Sequence, residues 1–281
     1  MTDVRDEAAP AAPQETRGNA AGDFIWYELM TPDPAASKQF YDAVVGWNID
    51  EHSAMPGGDT EYRMINRSDG GTAGGVLTLS PEMQSHGARP TWLGYVNVED
   101  VDRTVAEVER RGGRALMPAS DIPNVGRIAM IADPQGAPIY VMKPIPPAND
   151  PSATSDVFSP REIGHCAWNE LVTSDLEAAK KFYTELFGWT LGGTMPMGEM
   201  GDYQFIEQDG TMIGAMFAPP GRPPAWRFCF RVENLEKSIE AVKSGGGEIL
   251  FGPTEVPGGG RIIQANDPQG AFFMVIEGGQ Q

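Results

Sequence analysis

From Phe24 to Met30 (FIWYELM) aromatic and aliphatic residues, one of them β-branched, crowd around a single charged position, and past Asp33-Pro34 the spacing turns helical through Phe40, Tyr41, Val44 and Val45. The first pattern predicts a strand with Trp26, Glu28 and Met30 on one face. The second predicts a helix with Asp33 as N-cap, Pro34 in the first turn and Gly46 as the stop. Three more strands are expected at about Trp47–Glu51, Glu61–Asn66 and Gly74–Leu79, with turns at Gly57-Gly58 and Gly70-Gly71. The β-α-β-β-β order then recurs. Trp92–Val98 reads as a strand and Val101–Arg111 as a helix, begun near Asp100 and ended by Gly112-Gly113. Arg114–Met117, Ile128–Ile131 and Pro138–Met142 read as strands, the last two joined by a tight Asp133-Pro-Gln-Gly136 hairpin.

The whole order runs a second time. It predicts a strand at Gly164–Val172, a helix at Leu176–Phe187, and strands near Trp189, at Tyr203–Glu207 and at Met212–Phe217. A strand at Trp226–Val232, a helix at Leu235–Ser244, and strands near Glu248, at Arg261–Ala265 and at Ala271–Ile276 complete it. The repetition extends to identity. Trp26–Trp47 returns as Trp168–Trp189, 142 residues later, with 11 of 22 positions unchanged. Asp133–Ala137 returns as Asp267–Ala271, 134 residues later. Two copies are too few for a solenoid, so the pattern predicts an α+β protein of two tandem domains, residues 23–143 and 161–281. A Pro-rich linker spans 144–160, and residues 1–22, poor in large apolar side chains, are expected to form a disordered tail.

Composition narrows the partners. With 21 Lys and Arg against 39 Asp and Glu the net charge is -18, a surface that repels nucleic-acid backbones and anionic membranes. A small-molecule ligand remains as the expected partner. No apolar run approaches the roughly 18 residues of a membrane span, and no signal-peptide pattern opens the chain. The two cysteines, Cys166 and Cys229, both lie in the second copy, so the fold needs no disulfide. A reducing, cytoplasmic setting is expected. Four modules can complete two cavities within one chain, so a monomer is self-sufficient, and a homodimer stays open.

The paired βαβββ modules, the Asp33…Phe40-Tyr41…Gly46-Trp47 helix with its second copy, and the closing Asp-Pro-Gln-Gly hairpins resemble the vicinal oxygen chelate superfamily. That group holds glyoxalase I, extradiol dioxygenases, epimerases and the bleomycin- and fosfomycin-resistance proteins. The resemblance runs from about Asp23 to Gly279 and implies two copies of the glyoxalase/bleomycin-resistance fold, each curling its sheet around a cavity. It also implies metal ligands at three places in each copy. These hold Trp26 and Trp168, Leu93 and Arg227, and Tyr140 and Met274, none of them an ordinary divalent-metal ligand. No metal residues and no cofactor are therefore assigned, and a divalent metal is not supported at these positions. Of three histidines, His52 and His86 fall in loop-like stretches. His165, opposite Asp23 in the repeat, is either an off-register ligand or a strand-end histidine.

What remains is aromatic and carboxylic. Glu28 and Glu170 share a strand face with Trp26 and Trp168, and burial there would raise their pKa toward that of a general base. They are the candidate catalytic residues. The plainer alternative pairs each with an arginine such as Arg127 or Arg261. The candidate ligand-binding residues are Trp26, Trp168, Tyr62, Tyr203, Tyr140, Met274, Arg127, Arg261 and Arg227. Trp92 and Trp226 fall on the opposite face and are expected in the core, and Trp47 and Trp189 are expected to fix helix to sheet. Cys166 and Cys229 share the cavity parity and read as small buried hydrophobes. The Gly-rich Val256–Arg261 stretch joins two strands and reads as a hairpin. The sequence points to a metal-free small-molecule-binding protein with two aromatic-lined cavities. The alternatives are a glyoxalase-like lyase or isomerase, or a dioxygenase-like enzyme. Either would act on a small carbonyl or aromatic substrate, with Glu28 or Glu170 as base or ligand.

Overall fold

The computed structural model describes residues 19–54 and 60–279; the Gly57-Gly58 turn and the tail as far as residue 18 lie outside them. The first half contains β1 (Phe24–Thr31), α1 (Pro34–Val45), β2 (Asn48–Ile49), β3 (Tyr62–Asn66), β4 (Thr72–Thr78) and the short α2 (Pro81–Ser85). It continues with β5 (Thr91–Asn97), α3 (Val101–Arg110), β6 (Arg114–Ile122), β7 (Gly126–Ala132) and β8 (Pro138–Pro144). The second half contains β9 (Cys166–Val172), α4 (Leu176–Phe187), β10 (Thr190–Pro196), β11 (Asp202–Gln208) and β12 (Thr211–Phe217). β13 (Ala225–Arg231), α5 (Leu235–Ser244), β14 (Glu248–Val256), β15 (Gly260–Asn266) and β16 (Phe272–Gly278) complete it. The N-caps are local: Asp33 and Asp175 each accept from the backbone three residues on, and Gly46 and Gly188 take the left-handed conformation at the helix ends.

Each half is one eight-stranded sheet, ordered β2-β3-β4-β1-β5-β8-β7-β6 and β10-β11-β12-β9-β13-β16-β15-β14. The antiparallel pairs β1/β5 and β9/β13 join the two modules of each half. One face of each sheet carries helices. On the other, side chains from β1, β5, β7 and β8 gather with Leu79 and Met83 into a separate apolar cluster in the first half. This second surface is the inner face.

The helix faces of both halves merge into a single core, and the repeated motifs are what join them. Trp47 Nε1 donates to Gly164 O at 2.7 Å, and Trp189 Nε1 donates to Gly22 O at 2.8 Å. Tyr41 donates to Asp267 Oδ2 at 3.1 Å while accepting from Trp92. Tyr183 donates to Asp133 Oδ2 at 3.0 Å while accepting from Trp226. The other oxygen of each aspartate holds its own hairpin by accepting backbone N–H groups. The terminal tryptophans of the repeat pack between helix and sheet of their own half, Trp47 on Tyr41 and Trp92, and Trp189 on Tyr183 and Trp226, and their indole N–H groups also fix one half to the other. Tyr27 and Asn169, equivalent in the repeat, hydrogen-bond each other at 2.9 Å, which places a pseudo-twofold axis between them. Near that axis Gly94 leaves room for its counterpart Phe228, whose ring a Cβ would approach to 3.0 Å.

Some expectations change. β6 and β14 run further than their apolar starts suggested, with register irregularities that re-aim their side chains. Within the expected linker, Val157 is buried in the common core and Asp156 pairs with Arg67. At the end of the expected tail, Asn19 bonds Ser155, and Ala21 accepts from Gln208. No helix among the described residues is long and apolar enough to cross a membrane.

Candidate functional site

Glu28 lies mid-strand on β1, on the inner face, and is 3% exposed. Its Oε2 accepts from Tyr95 at 2.8 Å. Tyr62, whose hydroxyl accepts from Trp26 Nε1 at 2.7 Å, adds a weaker interaction with the carboxyl. Gly75 on β4 makes this possible, because a Cβ there would collide with the Tyr62 ring. Tyr140 stacks on Tyr95 with ring centroids 4.2 Å apart. Glu28 Oε1 is buried without a hydrogen-bond partner. Burial pushes the Glu28 pKa up to about 7, against the hydrogen bonds from Tyr95 and Tyr62, which lower it. Met30, Leu79, Leu93 and Met142 fill the surrounding space and are all buried. Met83 of α2 and Ala88 just beyond pack on the cluster. Side chains of the first half thus crowd this inner face, with Trp26 and Tyr62 left half-exposed.

Glu170 occupies the same place on β9. Its Oε2 accepts from Tyr203 at 3.0 Å, and Tyr203 accepts from Trp168 Nε1 at 2.8 Å. Beyond that shared unit the halves part. Cys229 stands where the first half has Tyr95, Met274 where it has Tyr140, and Arg227 where it has Leu93. Arg227 Nη1 lies 3.8 Å from Glu170 Oε1, and its guanidinium sits 4.5 Å over the Phe272 ring. Burial raises the Glu170 pKa, while Arg227 and Tyr203 pull it back. The connection from β12 to β13 is shorter and carries no counterpart of α2. Trp168, Phe205, Met195 and Phe272 stay half-exposed, and Phe251 is 53% exposed.

The structure brings Glu28, Trp26, Tyr62 and Tyr140 together in one half, and Glu170, Trp168, Tyr203, Arg227 and Met274 in the other. It does not bring in Arg127 or Arg261. Arg127 pairs with Asp102 and Asp121, and Arg261 with Glu236 and Glu277. Both share the parity of core residues, Ala129 and Ile131 or Ile263 and Ala265, and so leave the sheet on the helix face. Neither therefore binds at, or neutralises, the carboxylates. Cys166 is also displaced: the register shifts between Cys166 and Trp168, turning the thiol into the common core. His165 sits at the junction of the halves, 3.9 Å from Asp69, away from both inner faces. Trp92 and Trp226 lie in the core.

Sequence reasoning passed over Tyr95, Phe205 and Phe272 as site residues. Two-residue periodicity could have found Tyr95, which shares a strand face with Leu93. Phe205 and Phe272 needed the strand pairing. Two open surface pockets are also present, one of them reaching Leu79 of the first inner face. One of about 410 Å³ runs beside α2 between Pro32, Glu61 and Gln84, and one of about 110 Å³ lies between Asn97, Arg103 and Phe187.

The donor set does not fit a metal of the family's kind. Each inner face offers one carboxylate among phenols, indole and apolar groups, and in the second half a guanidinium faces it. Among the described residues no group of three or more His, Cys, Asp or Glu is placed to hold an ion.

Residues 24–141 and 162–275 each match the Glyoxalase/Bleomycin resistance protein/Dioxygenase superfamily, and the chain belongs to that family. It is 32% identical over 254 residues to a Mycobacterium tuberculosis protein named "Putative glyoxylase CFP32", covering 90% of this chain and 93% of that one. It is 29% identical over 280 residues to the anthracycline biosynthesis protein DnrV of Streptomyces peucetius, covering 92% and 94%. Among solved structures, an extradiol ring-cleaving dioxygenase from B. fuscum superposes with a TM-score of 0.62 at 18% identity, covering 95% of this chain and 75% of that one. The 2,2',3-trihydroxybiphenyl 1,2-dioxygenase of Sphingomonas wittichii gives 0.62 at 15% identity, covering 93% and 92%. At these identities the structural likeness establishes the fold.

Proposed function

We propose that the chain binds a small molecule on its inner faces through a carboxyl and aromatic walls, without the metal the family's enzymes use. The observation behind this reading is the unit present twice, Trp26–Tyr62–Glu28 and Trp168–Tyr203–Glu170, each with one buried carboxyl oxygen left without a partner. A buried acceptor without a donor costs roughly 1–3 kcal/mol, a cost that a ligand hydroxyl or amide would remove. The relative named for anthracycline biosynthesis agrees with an aromatic ligand. Two measurements test the reading. Protein purified without chelator or nickel column is expected to carry far less than one metal per half. Aromatic ligands are expected to quench its tryptophan fluorescence, and less so in Trp168→Phe. One tightly held metal per half would overturn it.

A second reading rests on the Glu28 pKa of about 7, which suits a carboxyl that takes and returns a proton beside a carbonyl. On that reading the protein is a lyase or isomerase of small carbonyl compounds. It predicts deuterium exchange at the α-carbon of α-hydroxy ketones in D2O, lost in Glu28→Gln. Absence of exchange across a panel of such ketones removes it.

A further inference from the structure

Arg227 is a half-buried cation with few partners on the second inner face. A guanidinium carries five N–H donors, yet among the described residues Arg227 makes no hydrogen bond. Its ion-pair contact with Glu170, at 3.8 Å, is beyond hydrogen-bond reach. A side chain placed only to neutralise Glu170 would close on it in a bidentate pair near 2.8 Å. Instead Tyr203 holds the carboxyl by its Oε2, and Phe272 holds the guanidinium by stacking under it at 4.5 Å. The fork is thus oriented with none of its donors taken up among the described residues.

A second cation stands nearby. Burial lowers the Arg227 pKa, Glu170 raises it, and the charge of Arg222 lowers it again. Two neighbouring arginines in a chain of net charge -18 make a local positive site. Around them the surface is aromatic and half-exposed: Trp168, Phe205 and Phe272 on the inner face, with Phe251 beyond Gln264 and Met274 on the paired strands. The first half has nothing comparable, since Leu93 stands in place of Arg227.

We infer that the inner face of the second half recognises a planar, conjugated molecule by an anionic oxygen, a carboxylate or phenolate, gripped by Arg227 above Phe272. This rests on the binding reading above and adds the charge of the ligand and the half that takes it.

The test compares 2-naphthoate with its neutral counterpart 2-naphthamide, by calorimetry and tryptophan quenching on the full chain. A charge-assisted hydrogen bond predicts that wild type binds the carboxylate about tenfold or more tighter than the amide. In Arg227→Leu, which installs the side chain found at the equivalent place in the first half, that preference is expected to vanish while amide affinity stays within about twofold. Phe272→Leu keeps the charge and loses the stack, so it is expected to reduce the preference without abolishing it. It carries the test if Arg227→Leu does not fold. An equal grip on carboxylate and amide by wild type, or a preference unchanged in either variant, overturns the inference and leaves the binding reading standing. Failure of wild type to bind either probe overturns both.

Discussion

Glu28 and Glu170 occupy one position in a repeat, and each is held by a tyrosine that accepts from a tryptophan. Around the first, everything else is phenolic or apolar, and the carboxyl is pushed up to about 7. Around the second stands a guanidinium, with half-exposed aromatic side chains beyond it. The helix faces show the opposite behaviour. There, Trp47 and Trp189, Tyr41 and Tyr183, and Asp267 and Asp133 make the same contacts reciprocally. A residue at the junction answers to the other half, so a change on one side must be met across the axis. An inner-face residue answers only to its own sheet. Physical coupling therefore holds one surface alike and leaves the other free to differ.

The largest expected effect tests the junction. Phe228→Ala would open a void beside Gly94 at the axis and is expected to cost about 3–5 kcal/mol in urea unfolding. If the halves were independent, only part of the unfolding amplitude would move; a shared core predicts that the whole transition shifts.

Next comes the contrast between the carboxyls. Folding raises the Glu28 pKa from 4.5 to about 7, so the fold favours the protonated form. That stability is fully present below about pH 4.5 and is lost progressively as pH rises toward 7, with no further loss above it. At about 1.36 kcal/mol per pH unit the loss is on the order of 3 kcal/mol. Glu28→Gln is therefore expected to melt higher than wild type at pH 8 and to match it at pH 4. The same gain at both pH values would mean that Glu28 is not the titrating group. Glu170→Gln is expected to gain less at pH 8, because it leaves Arg227 without its counter-charge.

Tyr41→Phe and Tyr183→Phe each strip a buried aspartate oxygen and an indole N–H of their partner. Each is expected to cost about 1–3 kcal/mol, and by the same amount if the relays are equivalent. Clearly unequal losses would break the symmetry argued for the junction. At the small end, Arg127→Ala and Arg261→Ala remove surface ion pairs on the helix side and are expected to leave probe binding unchanged. A loss of binding in either would place it at the site after all.

Much of the fold was legible because its signals are local. The helix bounds at Leu176–Phe187 and Leu235–Ser244 follow from a capping Asp or Asn and a closing Gly. The two-residue period placed Glu28 and Trp26 on one face and Trp92 on the other. Where parity failed, a backbone irregularity intervened: the shift between Cys166 and Trp168 turned a thiol expected on the inner face into the core. Parity read within the right strand would have excluded Arg127 and Arg261, which matched across the copies for a different reason. Each anchors the helix before it, through Asp102 or Glu236.

The sequence by itself determined the duplication, the module order, and the caps and turns. These depend on neighbours along the chain or on composition at single positions. Only the tertiary structure decided that the repeated tryptophans and tyrosines bind across to the other half. It alone decided that Tyr95 closes on Glu28 in the first half while Arg227 stands over Phe272 in the second. Those facts depend on which strands pair and which surfaces meet, and contacts between residues 40 to 230 positions apart leave no period in the chain from which to read them.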